Sequence, residues 1–341
     1  MHQSALIRAR PGVRLRVADL GSLRLALWLI GLFGLAVAAS YFGLSNATWA
    51  LAVPLGLLAA NLVAAVATNP IFRAQGALLV FHLGLIALIV LAAVGRLTYL
   101  KGSVELSEGQ LFEGTLTQRE NGPLHGEGLA RVRFANLGFE VNYQPGLQRA
   151  QTRNRVGFAA DDGVASELVI GDTTPLKLNG YRFYTTSNKG FAPALVWTAH
   201  DGGKPMLGTI HMPSFPAHLT RQSLDWTPPG ATQVLTARLE IDDNVIDLGQ
   251  AWVLRPPAVH ALTLRTGDAT VTLRPGESHR FAEGTLRYQG LRMWMGYTVS
   301  YDWTIPWLLA ACAVAVAALA WHFAAKFRRQ SWQAADEGGR A

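Results

Sequence analysis

Four long apolar runs constrain the fold of this chain more than any other feature of its sequence. They occupy residues 23–41, 49–67, 76–95 and 305–325, and the only Asp, Glu, Lys or Arg within them is Arg24, at the edge of the first. A stretch of about 20 apolar residues can cross the hydrocarbon core of a bilayer as a helix. We therefore predict four transmembrane helices, three near the N-terminus and one near the C-terminus.

Basic residues around these runs predict the direction of the helices. Four arginines precede the first run and three basic residues follow the last: Arg8, Arg10, Arg14, Arg16, Lys326, Arg328 and Arg329. The loop at 43–48 is uncharged, whereas the loop at 68–75 carries Arg73. Because short cytoplasmic loops are enriched in Lys and Arg, both termini are expected in the cytoplasm of a bacterial cell, with the segment between the third and fourth helices outside the inner membrane.

An alternative concerns the first apolar run. Ala36-Val-Ala38 follows a basic region and an apolar stretch, as a signal-peptidase site does. Cleavage there would leave the remaining topology unchanged.

Charge and cysteine content exclude several classes of function. The formal net charge of +7 is explained in part by the basic residues flanking the apolar runs, so it favours contact with the lipid bilayer and predicts no nucleic-acid partner. The chain has one cysteine, Cys312, in the last run. The exported segment therefore holds no disulfide, no C-x-x-C-H haem attachment site and no cysteine zinc site.

Residues 98–302 have the composition and periodicity of a separate β domain. Apolar and polar residues alternate in short runs separated by turn residues, including Asp161-Asp162 and Asp242-Asp243-Asn244. Such runs predict strands at 129–134, 139–143, 167–170, 181–184, 194–198, 235–241, 261–265, 270–274, 285–288 and 297–301. The pattern indicates an all-β, antiparallel sandwich or barrel. The predicted division is 1–97, an N-terminal arm with three helices; 98–302, the β domain; and 303–341, the fourth helix with a basic tail.

The end of this domain is rich in large side chains, and two interpretations fit them. The residues are Met293, Trp294, Met295, Tyr297, Tyr301, Trp303 and Trp307. Aromatic residues anchor proteins at the lipid interface. They also form apolar platforms for flat ligands or protein partners.

Two histidines are the candidate site residues, and no catalytic motif accompanies them. His82 lies in the third apolar run and His322 in the fourth, at similar predicted depths toward the inner leaflet. Ionisable groups inside a membrane are costly and often functional, and a neutral imidazole can ligate haem iron. His82 and His322 could ligate one haem together. Alternatively, His82 forms a helix–helix hydrogen bond, with Asn61 as a possible partner, and His322 lies at the interface. The histidines outside the membrane are expected in surface loops.

Several motifs, together with the topology, resemble the ResB (CcsB) family of cytochrome c biogenesis. Four stretches carry the resemblance: Ser22-Leu-Arg-Leu-Ala-Leu, Phe81-His82-Leu-Gly-Leu, Gly102-Ser-Val-Glu-Leu-Ser-Glu-Gly109-Gln and Pro175-Leu-Lys-Leu-Asn-Gly180-Tyr-Arg-Phe-Tyr184. The exported domain is short for the family, and Tyr301-Asp302-Trp303-Thr304-Ile305-Pro306 replaces its usual D-P element. This fits a short or divergent member.

The resemblance implies a function and partners. ResB-like proteins act with a ResC (CcsA) membrane protein to move haem b outward and present it to apocytochrome c. His82 matches the third-helix histidine that the family uses to hold haem, so haem iron is the only metal expected at this residue. The chain is not expected to be an enzyme alone, but at most a subunit of a cytochrome c haem lyase. The alternative function is a non-catalytic scaffold or chaperone whose β domain binds apocytochrome or a membrane partner.

Overall fold

A computed structural model describes residues 17–44, 47–159, 165–241 and 245–338. The four N-terminal arginines that predict orientation, and the predicted turns at Asp161-Asp162 and Asp242-Asp243-Asn244, lie outside these residues. The chain divides into two compact units. The first contains the helices and residues 121–125, and the second contains 100–120 and 126–301.

Six helices form the first unit, and four of them are long and apolar enough to cross a membrane. The helices are α1 (Val17–Leu20), α2 (Leu23–Tyr41), α3 (Ala47–Thr68), α4 (Ile71–Ala74), α5 (Gly76–Thr98) and α6 (Ile305–Gly338). The candidate spans are Leu23–Tyr41, Thr48–Thr68, Gly76–Thr98 and Ile305–Arg328. The prediction of four transmembrane helices is confirmed, and the chain is a multi-pass membrane protein.

Polar contacts fix the start of α2 against α3. The hydroxyl of Ser22 caps α2 by accepting a hydrogen bond from the Leu25 amide at 3.3 Å. The Asn61 side-chain amide of α3 donates to the carbonyl oxygens of Leu20 and Ser22, the latter at 3.2 Å. Asn61, expected as a possible partner for an intramembrane histidine, therefore binds the backbone at the start of α2 instead.

Small residues bring α5 and α6 into close contact. A Cβ placed on Gly84 would lie 2.9 Å from the Cβ of Ala315, and one placed on Gly95 would lie 2.7 Å from the Thr304 hydroxyl. Small residues allow membrane helices to approach closely and gain van der Waals contact. The third and fourth membrane helices are thus neighbours; the sequence predicted their opposite directions but could not place them side by side.

The second unit consists of antiparallel sheets. Its strands are β1 (Leu100–Ser107), β2 (Leu111–Phe112), β3 (Gln118–Asn121), β4 (Phe134–Tyr143), β5 (Arg149–Ala159), β6 (Ala165–Gly171), β7 (Leu176–Leu178), β8 (Tyr181–Ala199), β9 (Met206–Thr209), β10 (Ser223–Trp226), β11 (Leu235–Ile241), β12 (Trp252–Leu254), β13 (His260–Thr266), β14 (Ala269–Leu273), β15 (Ser278–Arg280) and β16 (Gly284–Tyr301).

The strands form three sheets. The largest has the order β3-β1-β16-β8-β7, with β15 added to β16 and β9 to β8. The others have the orders β10-β11-β13-β14 and β12-β4-β5-β6, with β2 added to β4. Within the described strands no barrel closes. The predicted all-β antiparallel class is confirmed.

Two pairs of predicted strands are each a single long strand. Residues 181–184 and 194–198 both belong to β8, and 285–288 and 297–301 both belong to β16. Every residue from 189 to 195 is buried, so the alternation of apolar and polar residues disappears in the middle of β8. The first predicted strand is partly wrong, because residues Gly128–Arg131 form a 3-10 helix.

Aromatic rings pack between the largest sheet and the sheet containing β4. The ring centroids of Phe134 and Phe183 are 4.9 Å apart, and those of Phe134 and Tyr297 are 5.8 Å apart. Met293, Trp294, Met295 and Tyr297 are buried within this domain. These four side chains therefore pack in the protein core, and the anchoring interpretation is wrong for them. Trp303 and Trp307 of the helical unit remain exposed.

Candidate functional site

His82 lies in the second turn of α5, packed between aromatic rings. Its ring centroid is 4.6 Å from that of Phe72 and 5.2 Å from that of Phe81, both in edge-to-face geometry. Its Nδ1 lies 2.8 Å from the carbonyl oxygen of Leu78, one turn earlier in the helix. The side chain is half-buried.

This hydrogen bond assigns the tautomer of His82. A carbonyl oxygen only accepts, so Nδ1 carries the proton and donates it to Leu78. The lone pair of a neutral His82 is then on Nε2. A histidine that ligates a metal commonly donates its other N–H to a carbonyl, which orients the ring and raises its basicity. The geometry of His82 therefore fits an axial ligand for haem iron through Nε2.

The structure does not bring His82 and His322 together. His322 contacts its neighbour Phe323, with ring centroids 5.7 Å apart. Gly84 marks the face of α5 that meets α6, and His82, two residues earlier, points about 200° around the helix from it. His82 is thus on the far side of α5 from α6. The arrangement does not favour one haem held by both histidines, and the assignment of each as a ligand stays a prediction.

The depths of the two histidines also differ. Gly84 and Ala315 lie side by side on antiparallel helices. At 1.5 Å per residue, His82 lies about 3 Å from that level and His322 about 10 Å from it, both in the same direction. His322 is therefore closer to the expected cytoplasmic end than His82.

A polar cluster in the β domain was missed by sequence reasoning. Glu105 and Ser107 lie two residues apart on β1 and so share one face of the sheet. His211, after β9, bridges them. Its Nδ1 is 3.1 Å from Glu105 Oε2 and its Nε2 is 2.9 Å from Ser107 Oγ. Asn188 donates to Glu105 at 2.8 Å, and Ser107 Oγ is 2.7 Å from the Thr209 hydroxyl.

Hydrogen bonds and packing tie this cluster together. The hydrogen bond with His211 lowers the pKa of the Glu105 carboxyl below its ordinary value, and the bond from Asn188 acts in the same direction. Trp294 pairs with Ser107 in the register of β1 and β16, and its ring stacks on that of His211 with centroids 5.2 Å apart. The Trp294 indole N–H donates to the Met212 carbonyl at 3.0 Å, which fixes the ring. The imidazole of His211 is therefore held by hydrogen bonds at both ring nitrogens and by stacking of the Trp294 ring on one face.

The order Ser107–His211–Glu105 is that of a nucleophile, base and orienting acid. The solvent exposure of these residues does not suit nucleophilic catalysis. Ser107 is only 1% exposed, whereas the Glu105 side chain is 35% exposed. A substrate cannot reach a buried nucleophile, and the Ser107 amide is already bonded to the Gln110 side chain at 2.9 Å. We assign this cluster no hydrolytic activity.

The other polar groups in the described part of the chain form no metal centre. Among the described residues, no three His, Cys, Asp or Glu side chains lie close enough to hold a metal ion. Two exterior histidines expected in surface loops have specific partners. His125 is 2.8 Å from the Thr98 carbonyl at the end of α5, and His260 is 2.8 Å from the Tyr288 hydroxyl. Cys312 is exposed on α6.

A comparison of this sequence with known protein families supports the resemblance that its motifs indicate. The ResB-like family model matches residues 71–222. The matched part contains His82 and the Glu105–Ser107–His211 cluster, and His322 lies beyond it. No curated protein matches the chain. The ResB-like family is involved in cytochrome c biogenesis and generally works with a membrane partner. The match over residues 71–222 confirms the resemblance of this protein to the ResB family.

Proposed function

We propose that this protein is a membrane subunit of a cytochrome c biogenesis complex that delivers haem b to apocytochrome c. It acts with a ResC/CcsA-like membrane protein and is at most one subunit of a haem lyase. The observation that carries the proposal is the His82 imidazole, whose Nδ1 proton is donated to Leu78 while the Nε2 lone pair is available for iron. The ResB-like match includes this residue.

Haem is the cargo in this proposal, and its iron accepts the imidazole lone pair. His82 binds through Nε2, and the carbonyl oxygen of Leu78 orients the ring and increases its donor strength. Phe72 and Phe81 pack against the imidazole and give it apolar surroundings. A single protein ligand of this kind suits a carrier that must also release its cargo.

The proposed location is the bacterial inner membrane, with both termini in the cytoplasm and the β domain outside. The basic residues on the cytoplasmic side support this orientation. Fusions of alkaline phosphatase and of a fluorescent protein test it. Phosphatase activity is expected for fusions at 43–44 and in 126–301. Fluorescence is expected for fusions after residue 338. The reverse pattern would contradict the orientation.

Co-purified haem tests the ligand directly. The full chain is purified with its ResC/CcsA-like partner, and the Soret band per mole of complex is measured. His82→Ala is expected to remove most of the Soret absorbance that comes from haem bound to this chain. His279→Ala is the matched control, because His279 is an exposed histidine of β15. His322→Ala tests the second predicted ligand: a smaller band would assign haem binding to His322, and an unchanged band would exclude it.

Three outcomes would change parts of this proposal. An unchanged Soret band in His82→Ala means that His82 does not bind haem. If a strain that lacks this protein loses holocytochrome c and regains it when the His82→Ala variant is expressed, the scaffold function is favoured. In that function the β domain binds apocytochrome or the membrane partner. Equal loss of haem in His82→Ala and His322→Ala would support a site made by both histidines.

A further inference from the structure

A cleft of about 630 Å³ opens in the β domain beside the His211 cluster. Thr209 and His211 supply polar groups to its lining, and Leu207, Leu224 and Trp226 supply apolar ones. Ligand sites typically combine a mostly apolar wall with a few oriented polar groups in a volume of several hundred Å³. The cleft has both the size and the composition of a small-molecule site.

Arg292 places a positive charge in this cleft. It lies on β16, two residues before Trp294 and therefore on the same face of the sheet. Arg292 is half-buried, and its guanidinium donates from Nη1 to the Glu108 carbonyl oxygen at 3.0 Å. That bond fixes the orientation of the group and leaves its other N–H donors for a ligand.

Within the described part of the chain, no carboxylate forms an ion pair with Arg292. Glu108, whose backbone carbonyl accepts the bond from Arg292, directs its carboxylate toward Gly138, where its Oε1 would lie 2.9 Å from an added Cβ. A half-buried arginine without a counter-charge favours the binding of an anion, since pairing recovers the cost of its partial desolvation.

Gly109 makes room for this cation. Its φ of +80° favours glycine, and a Cβ there would lie 3.1 Å from Arg292 Nη1. The turn after β1 therefore leaves the guanidinium accessible from the cleft.

The apolar side of the cleft continues into a smaller cavity. Leu207 is 61% exposed, and Leu207, Thr209 and Trp226 also line an adjoining space of about 140 Å³ that includes Trp197 and Met206. An exposed leucine beside aromatic rings offers contact to an apolar body. A ligand that fits the whole site therefore combines an apolar body with an anionic group.

We propose that this cleft binds a small amphiphilic carboxylate, with the carboxylate on Arg292 and the apolar body against Leu207, Leu224 and Trp226. The guanidinium matches a carboxylate through two parallel N–H donors. Two ligand sources share this chemistry: a porphyrin, through its propionates, and a long-chain fatty acid. The site is separate from His82 and is independent of the proposed function.

Iron-free protoporphyrin IX tests the cleft without involving an iron ligand. The full chain is placed in phosphatidylcholine nanodiscs, and porphyrin fluorescence anisotropy is compared with that of empty nanodiscs. Arg292→Met is expected to weaken binding by about tenfold or more, the loss of one charge-assisted pair. Arg287→Met is the matched control, because Arg287 is an exposed arginine of the same strand.

Three further measurements make the result decisive. The dimethyl ester of protoporphyrin, which lacks free carboxylates, is expected to bind as weakly to the native chain as the acid binds to Arg292→Met. Trp226→Ala is expected to weaken binding while leaving Arg292 in place. This second variant tests the cleft independently if Arg292→Met does not fold. Oleate that displaces the porphyrin identifies a fatty-acid site, whereas binding that oleate leaves unaffected identifies a porphyrin site.

The proposal is overturned if neither protoporphyrin nor oleate binds above the empty nanodiscs. It is also overturned if the dimethyl ester binds as tightly as the acid, or if folded Arg292→Met binds as tightly as Arg287→Met. These outcomes do not affect the haem test at His82, because that test measures an iron-dependent Soret band.

Discussion

Gly84 of α5 lies directly against Ala315 of α6, at a distance that leaves no room for a side chain on the glycine. A Cβ at this position would be 2.9 Å from the Ala315 Cβ and 3.2 Å from its Cα. Because the contact joins the third and fourth membrane helices, Gly84→Val is expected to lower their stability by about 1–3 kcal/mol through overpacking. Thermal unfolding of the full chain in mild detergent, followed by circular dichroism at 222 nm, measures this change.

Gly31→Val is the control for this substitution. Gly31 lies in α2, and nothing lies within 4 Å of a Cβ placed on it. The two variants make the same chemical change in a membrane helix, so they differ mainly in the α5–α6 contact. Equal thermal midpoints for the two variants would contradict the packing of α5 against α6.

The hydrogen bond between His211 and Glu105 predicts a dependence of stability on pH. Bonding to His211 lowers the pKa of Glu105 from its ordinary value of 4.5. The ionised carboxylate therefore stabilises the folded state above about pH 4.5, and this contribution is lost as the pH falls through the lowered pKa. Since the carboxylate is 35% exposed, we expect Glu105→Gln to cost about 1 kcal/mol or less at pH 7.

The measurement is the urea midpoint of the full chain between pH 3 and pH 7. The native chain and Glu105→Gln should differ at pH 7 and converge toward pH 3. Glu113→Gln, which changes an exposed carboxylate in the loop after β2, should differ little from the native chain throughout. If the difference in urea midpoint between the native chain and Glu105→Gln grew as the pH fell, the predicted direction of the pH dependence would be wrong.

The membrane helices were predictable because their signal is local. A run of about 20 apolar residues needs no tertiary contact to be identified. The orientation of His82 was not predictable, because it follows from the Gly84–Ala315 contact between helices far apart in the sequence.

The polar cluster was hidden for the same reason. Alternation along β1 places Glu105 and Ser107 on one face, which the sequence allows one to infer. Their partner His211 lies more than 100 residues later, and the pairing of Ser107 with Trp294 joins opposite ends of the domain. No local pattern encodes such contacts. The identity of Gly109 was a usable signal, since a glycine after a strand indicates a turn of positive φ.

A buried amide network predicts a second stability change. The Tyr297 hydroxyl donates to Asn154 Oδ1 at 2.7 Å, and the Asn154 amide donates to Asn136 Oδ1 at 2.8 Å. All three side chains are fully buried. Tyr297→Phe removes one donor and leaves the Asn154 oxygen without it, so we expect a loss of about 1–3 kcal/mol.

Chemical denaturation followed by tryptophan fluorescence measures this loss. Tyr184→Phe is the control, because Tyr184 is a half-buried tyrosine of β8. Tyr297→Phe should unfold at lower denaturant, and Tyr184→Phe should remain within about 0.5 kcal/mol of the native chain. No difference between the two variants would mean that the Asn154 oxygen finds another donor.

Lys189 predicts a gain of stability on substitution. The side chain is 2% exposed, and its Nζ lies 5.6 Å from the ring centroid of Tyr143 and 3.3 Å from the Ser187 carbonyl oxygen. Burial, together with the nearby charge of Arg149, lowers its pKa from 10.5 to about 8. Below pH 8 the folded protein therefore holds a poorly solvated charge, which costs free energy that the unfolded chain does not lose.

Lys189→Met removes this cost because it replaces the ammonium by an apolar group of similar length. We expect the variant to be more stable than the native chain at pH 7 by about 1–3 kcal/mol, which is less than the pKa shift alone implies because methionine loses the contacts with Ser187 and Tyr143. The native chain should become more stable as the pH rises from 8 to 10.5, since the folded state then binds fewer protons than the unfolded state. The advantage of Lys189→Met should shrink over the same range. Lys177→Met, on the exposed side of β7, should show neither effect. Lower stability of Lys189→Met at pH 7 would mean that the contacts with Tyr143 and Ser187 outweigh the cost of burying the charge.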